Sequence, residues 1–290
     1  MTKKIVFLIF ITLITVNKNL KAQNIYNLNT GKDSLNTLFS ELFTFDGTRY
    51  TKPDSDKIKI NKQILNYFNT VLNIDSSFFY KFNIKKIGSI YSDDKLVRLI
   101  TWNIKLSNGE YKYYGFVMHK KNKKSKPKIF VLNDKSADIL NPDKQTLDNN
   151  KWFGCLYYKI ITTKYLGTKY YTLLGWDGNN YLTTKKIIDI LYFTRTGRPK
   201  FGKSFFTPLT NKRKKQKRII FEFSSQVVMS LIYDKRYKAI VFDHLAPIHS
   251  NYKGKYEFYG PDFTYDSYKF KKGRWILNQN IKVKNPKKKK

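Results

Sequence analysis

One cysteine among 290 residues, Cys155, rules out an intramolecular disulfide and any thiolate-built metal cluster. Acidic residues are also scarce. Asp and Glu number 21 against 56 Lys and Arg, a formal charge of +35 with histidine neutral, which excludes an acidic or neutral surface. Eight prolines and 14 glycines are too few for long low-complexity stretches. Beyond the first residues, no apolar run approaches the ~20 residues that a membrane-crossing helix needs. What is plentiful is aromatic: 22 Tyr, 22 Phe and 4 Trp, within 41% hydrophobic residues and a mean hydropathy of −0.53. That composition suits a globular protein with a sizeable core.

The N-terminus reads as a secretory leader. Lys3 and Lys4 precede the apolar run Ile5 to Val16, and Leu20-Lys21-Ala22-Gln23 comes next, so cleavage is expected near Ala22. Loss of residues 1–22 removes Lys3, Lys4, Lys18 and Lys21 and no acid, leaving +35 − 4 = +31. A periplasmic or secreted product is expected, with no transmembrane segment after cleavage. Cys155, flanked by Gly154 and Leu156 in an aromatic run, reads as a buried small hydrophobe.

Two helices are predicted within a lead-in over residues 23–84. Leu35, Leu38, Phe39, Leu42 and Phe43 share a helical face with Asp33 or Ser34 as cap, and Ile60, Ile64, Phe68, Val71 and Leu72 share another with Asn61 as cap. From about Ile87 the pattern changes to short runs rich in Ile, Val, Tyr, Phe and Thr, broken by turn residues. The fold class expected for residues 85–290 is mainly β: an antiparallel hairpin meander, propeller-like or a sandwich, ending in a basic tail. In the first hairpin, a two-residue turn at Asn108-Gly109 would set Ile104 against Tyr113, Trp102 against Gly115 and Lys105 against Lys112. A second hairpin spans Cys155 to Trp176 and turns near Leu166-Gly167. A shift of 57 residues lays the first hairpin weakly on the second. Later strands are expected at Arg218 to Phe223, Met229 to Tyr233, Lys238 to Asp243, Phe263 to Phe270 and Arg274 to Leu277. Basic clusters at Lys120 to Lys128, Lys212 to Arg218 and Lys287 to Lys290 read as solvated loops.

One motif misleads. Gly197, Gly202, Lys203 and Ser204 fit the phosphate-loop formula, but that chemistry needs a helix whose first N–H groups hold the phosphates. Here Phe205-Phe206-Thr207-Pro208 comes next, so no nucleotide is expected. Arg195, Arg198, Lys200 and Lys203 read instead as a basic turn able to accept an anion. His119, His244 and His249 lack metal-ligand spacing, and no metal or other cofactor is expected. Asp243-His244 cannot form a catalytic pair within one strand, where neighbours point to opposite faces. Asp177, Glu222, Asp234, Asp243, Asp262 and Asp266 are the acids from which a glycan-hydrolysing pair would have to come. Aromatic and basic residues interleave at Tyr111-Lys112-Tyr113-Tyr114 and Lys169-Tyr170-Tyr171, an arrangement suited to sugar stacking beside anion binding.

The blocks Trp152-Phe153-Gly154, Leu173 to Gly178, Ile219 to Val228, Ile240 to Leu245 and Tyr259 to Asp262, over roughly residues 85–278, resemble an uncharacterised group of exported β-rich proteins from Bacteroidetes-type bacteria. The resemblance implies export and a mainly β body and transfers no activity, cofactor or site residue. The expectation is a non-enzymatic exported protein that binds an anionic glycan, lipopolysaccharide or similar envelope polymer, with nucleic acid disfavoured by export. A periplasmic glycan hydrolase using paired carboxylates and an envelope scaffold are the alternatives.

Overall fold

The computed structural model describes residues 27–44, 52–207 and 216–282, so the expected leader, the basic residues 212–215 and the tail Lys287 to Lys290 lie outside the described residues. The chain divides into two compact units, Met1–Lys86 and Ile87–Lys290.

In the first unit residues 27–42 form helix α1 and Asp54–Leu72 form helix α2. The buried stripes are Leu28, Leu35, Phe39 and Leu42 on one helix and Ile60, Ile64, Phe68, Val71 and Leu72 on the other. The helices meet through Phe39 and Phe68, ring centroids 6.2 Å apart, and through Gly31, where a Cβ would fall 2.2 Å from a Val71 methyl. The expected caps are corrected. Residues 27–30 are already helical, so Asp33 and Ser34 are interior. Asn61 is buried mid-helix, because α2 starts seven residues earlier behind Pro53, with Asp54 and Asp56 in its first turn.

The second unit is mainly antiparallel β, as its turn-punctuated aromatic and β-branched runs predict. The first sheet is a four-strand meander of β1 (Gly88–Tyr91), β2 (Val97–Lys105), β3 (Tyr111–His119) and β4 (Lys128–Asn133). The second takes β5 (Leu147–Asp148), β6 (Leu156–Tyr165), β7 (Thr168–Asp177), β8 (Thr183–Phe193) and β9 (Pro199–Phe201) in the order β5-β9-β8-β7-β6, with β11 (Ile219–Ser224) also pairing β8. The third joins β10 (Phe206–Thr207), β12 (Leu231–Asp234), β13 (Ala239–Pro247), β14 (Tyr259–Lys271) and β15 (Arg274–Asn278) in the order β10-β15-β14-β13-β12, where only the short β10-β15 contact is parallel. Among the described residues no sheet closes on itself.

The sheets stack, with the second in the middle. Val97, Leu99, Val117 and Leu132 of the first sheet pack with Tyr171, Leu173, Ile187 and Leu191 of the second, and Leu174, Ile188 and Ile190 on its other face pack with Ile240, Phe242, Tyr268 and Trp275 of the third. Strand β8 therefore buries both faces, which is why it reads as the near-continuous run Ile187-Ile188-Asp189-Ile190-Leu191 rather than as alternation. Of the two forms expected for the meander, the sandwich is the one built. Cys155 is fully buried, and Gly175 makes room for it, since a Cβ there would sit 2.6 Å from the sulfur. Burial pushes its thiol pKa far up.

The first hairpin corrects its expected register by one residue. Lys105 lies opposite Tyr111, Ile104 opposite Lys112 and Trp102 opposite Tyr114, because the loop has three residues. Leu106 N donates to Glu110 O and Gly109 N to Leu106 O, with Gly109 at φ +85°, the left-handed position such loops need. The Lys105/Lys112 opposition therefore does not exist. Gly115 faces Thr101 rather than the indole, and its missing Cβ spares the Ile100 carbonyl, 2.5 Å away. The second hairpin turns at Leu166-Gly167 as expected, both at positive φ. A 57-residue shift lays Asn108 on Tyr165, so the two turns do not coincide and the weak repeat is not structural.

Candidate functional site

The four basic residues singled out in the sequence lie in the hairpin loop that leaves the C-terminal end of β8 and in the strand and turn beyond it. Thr194 N donates to Arg198 O (2.9 Å) and Gly197 N to Thr194 O (2.8 Å), with Gly197 at φ +85°. This is another three-residue hairpin loop, Arg195-Thr196-Gly197, and it leaves Arg195 and Arg198 exposed. Among the described residues neither has a carboxylate within ion-pair reach. Lys200 and Lys203 are occupied differently. Lys200, opposite Tyr192 in the β8-β9 register, donates from Nζ to Asp148 Oδ2 (3.1 Å), while Lys203 Nζ sits 5.1 Å from the Tyr192 ring centre.

The second half of this site comes from a segment distant in sequence. Lys128 opens β4 at the end of the basic loop 120–127, and its Nζ donates to Thr196 O at 2.9 Å. That contact places the lysine loop of the first sheet beside the arginine turn of the second. Lys121, Lys123 and Lys124 are exposed, with no carboxylate in reach among the described residues. Beneath the turn, His119 stacks on Phe193 with centroids 3.6 Å apart. Burial, assisted by the charge of Lys128, lowers His119 to about 4 against contacts with the Gly197 backbone and Asp94, so the imidazole is neutral at pH 7. Asp94 is already matched. It accepts from Ser92, Leu96, Lys169 and Tyr171, and although burial acts to raise its pKa, these bonds hold it below the usual range.

The phosphate-loop formula has another physical meaning here. No helix leaves Ser204, and Phe205 and Phe206 turn into the core. Gly202, at φ +88°, is a glycine because a Cβ would lie 2.6 Å from Gln145 O and 3.1 Å from Arg218 Nη2. Arg218, expected within a solvated basic loop, is instead fully buried. Its Nε donates to Asp189 Oδ2 at 2.9 Å, and its Nη1 donates to Pro142 O and, at 3.4 Å, to Gln145 O. Burial nevertheless keeps the Asp189 carboxyl above its ordinary pKa, with the guanidinium opposing it.

The candidate acids fall into separate groups. Asp177 and Glu222 belong to one network. Tyr113 OH and Asn179 N each donate to Asp177 Oδ1 (2.8 Å), Asn179 Nδ2 donates to Thr183 Oγ1 (2.6 Å), and Thr183 Oγ1 donates to Glu222 Oε1 (2.7 Å). Lys185 Nζ donates to Asn179 Oδ1 at 2.7 Å and lies 3.7 Å from Glu222 Oε2. Asp234 is bound by Arg236 in a local turn, and Asp243 accepts from Ser230 N.

His244 does not pair with Asp243. It sits at a bulge opposite residues 262–264, where its Nδ1 is 2.9 Å from Asp266 Oδ2 and its Nε2 is 4.0 Å from Asp262 Oδ2. The sequence gives no sign of this cross-strand pairing because bulges carry no composition of their own. Among the described residues no cluster has the composition of a metal site, and no helix is long and apolar enough to cross a membrane. No protein-family model matches the chain, and neither does any curated protein or solved structure.

Proposed function

We propose that the protein is an exported binding protein for anionic polymers, an acidic glycan or lipopolysaccharide, and that it holds them at the surface formed by the arginine turn 195–198 and the lysine loop 120–128. The observation that carries this reading is the Lys128 Nζ to Thr196 O bond, which joins two basic segments lying 68 residues apart into one surface. Several cations there have no carboxylate in reach among the described residues, so their charge is available to phosphates, sulfates or uronates. Arg195 and Arg198 are the bidentate donors, and the lysines supply point charges along the strand of polymer. Lys200 and Lys203 stand at the margin, partly spent on Asp148 and Tyr192.

Lysine footprinting tests the reading. With dextran sulfate or lipopolysaccharide present, acetylation of Lys121, Lys123, Lys124 and Lys128 is expected to slow while Lys253 and Lys272 react as before. Uniform slowing over all lysines, or none, would reject this surface.

A further inference from the structure

Asp177 lies at the other end of the central sheet, opposite Lys185 in the β7-β8 register, whereas the arginine turn adjoins the last residue of β8. At about 3.3 Å per residue the two ends of that strand are roughly 30 Å apart. A cleft of about 300 Å³ opens here, with Tyr111, Tyr113, Asp177, Asn180 and Lys185 in its walls. It is built entirely within the β unit, from the end of the first hairpin, the β7-β8 connection and the segment between β4 and β6, which adds Ser136, Ala137 and Phe153.

The chemistry of this cleft is specific. Asp177 is 6% exposed, and all of its hydrogen bonds, from Tyr113 OH and Asn179 N, go to Oδ1. Oδ2 has no protein donor among the described residues, although the side chain lines the cleft. That oxygen opens on the cleft, where water or a ligand has to supply its donor. An asparagine would accept the same two bonds through its own Oδ1, so scaffolding alone does not require a charge at this position.

The neighbours identify what would complete it. Asn180 spends its Oδ1 on the N–H groups of Leu182 and Thr183, which leaves Nδ2 as a donor. Lys185 adds a fixed positive charge beside Asp177, which works against a cationic ligand. Tyr111 and Tyr113 stack with centroids 6.4 Å apart, and Trp176 meets Tyr111 edge-on at 5.6 Å, giving an aromatic wall. Gly178 permits the approach of that wall, since a Cβ there would lie 2.4 Å from the Tyr111 ring.

We propose that this cleft binds a neutral, hydroxyl-rich ring, one sugar residue, with a hydroxyl donating to Asp177 Oδ2, Asn180 Nδ2 and Lys185 Nζ donating to ring or hydroxyl oxygens, and the tyrosines covering the apolar face. The volume lies at the small end of the ~300–1,000 Å³ typical of ligand pockets, which suits a single ring better than a chain. The site is separate from the polymer-binding surface and stands or falls without it.

The test titrates full-length mature protein with neutral saccharides (glucose, galactose, mannose, N-acetylglucosamine and their disaccharides) and, in a parallel arm, with tetramethylammonium and lysine. Trp176 fluorescence and amide shifts of Gly178 and Asn180 are the readouts. At least one saccharide is expected to saturate below about 10 mM. D177N, which keeps the Tyr113 and Asn179 bonds and hence the fold, should weaken it by roughly tenfold or more, the worth of a hydrogen bond to a charged acceptor. R195A/R198A should bind the sugar unchanged. Binding of no saccharide, full affinity in a D177N variant that unfolds as cooperatively as the wild type, or binding of the cations in preference to sugars would overturn the proposal.

Discussion

Replacing Arg218 by methionine would strip from a fully buried carboxylate, Asp189, its one cationic partner among the described residues. Arg218 and Asp189 have side-chain exposures of 0% and 1% and meet at 2.9 Å between the first and second sheets. Once the guanidinium is gone, Asp189 must stay ionised in an apolar environment or take up a proton, and the Pro142 and Gln145 carbonyls lose their donor. Removing one partner of such a pair costs about 3–5 kcal/mol. Replacing both by apolar groups of similar volume removes the buried charge itself, so D189L/R218M should recover most of that loss. All four tryptophans, Trp102, Trp152, Trp176 and Trp275, belong to the β unit, so their fluorescence during urea unfolding reports on that unit alone. The expected outcome is a midpoint lowered by about 3–5 kcal/mol divided by the urea m-value in R218M, with the slope itself unchanged. The double variant should lie within about 2 kcal/mol of the wild type. A loss below about 1 kcal/mol in R218M, or a double variant as damaged as the sum of the two single ones, would refute the reasoning.

Other outcomes rest on single positions. His119 has a folded pKa below its unfolded value, so the unfolded chain binds the proton first and stability falls as pH drops from about 6.5 towards 4. Discounted for the partly exposed ring, wild type should lose about 1–2 kcal/mol more than H119Q over that window in chemical denaturation, and parallel curves would contradict the assignment. Gly202 and Gly167 both have positive φ, but a Cβ meets backbone only at Gly202, so G202A should lower the melting temperature well beyond G167A. Equal losses would show that the crowding around Arg218 is unimportant. Asp177, raised by burial, penalises the folded state once it ionises. D177N should therefore gain stability over wild type as pH rises above about 4, and a constant difference from pH 3 to 7 would argue against it.

How much of the molecule is legible in the sequence depends on whether the signal is local. Turn residues and β-branched runs mark the strands, and Leu166-Gly167 marks its turn outright, because a two-residue loop writes its needs into two adjacent residues. The first hairpin reads one place out of register, since Asn108-Gly109 serves a two-residue or a three-residue loop equally well. The start of α2 escapes the sequence because Pro53 leads into it with no side-chain cap. Arg218 looks like part of a lysine-rich loop, and only the strand register that brings it to Asp189 distinguishes it. At the candidate site Arg195 and Arg198 can be found by inspection. Their convergence with Lys128 cannot, nor can the solitary oxygen of Asp177, because both depend on contacts between sheets formed by residues more than 60 positions apart.

The central claim concerns a particular surface rather than the overall charge of +35. The most direct measurement is the salt dependence of dextran sulfate binding for the wild type, R195A/R198A and K253A/K255A, the last pair removing the same charge from an exposed loop elsewhere. Each cationic contact contributes roughly 0.7–0.9 to the slope of log K against log salt, so the account predicts a slope shallower by roughly 1.5 in R195A/R198A and unchanged in K253A/K255A. Equal changes in both variants would contradict it, because binding would then follow net charge alone.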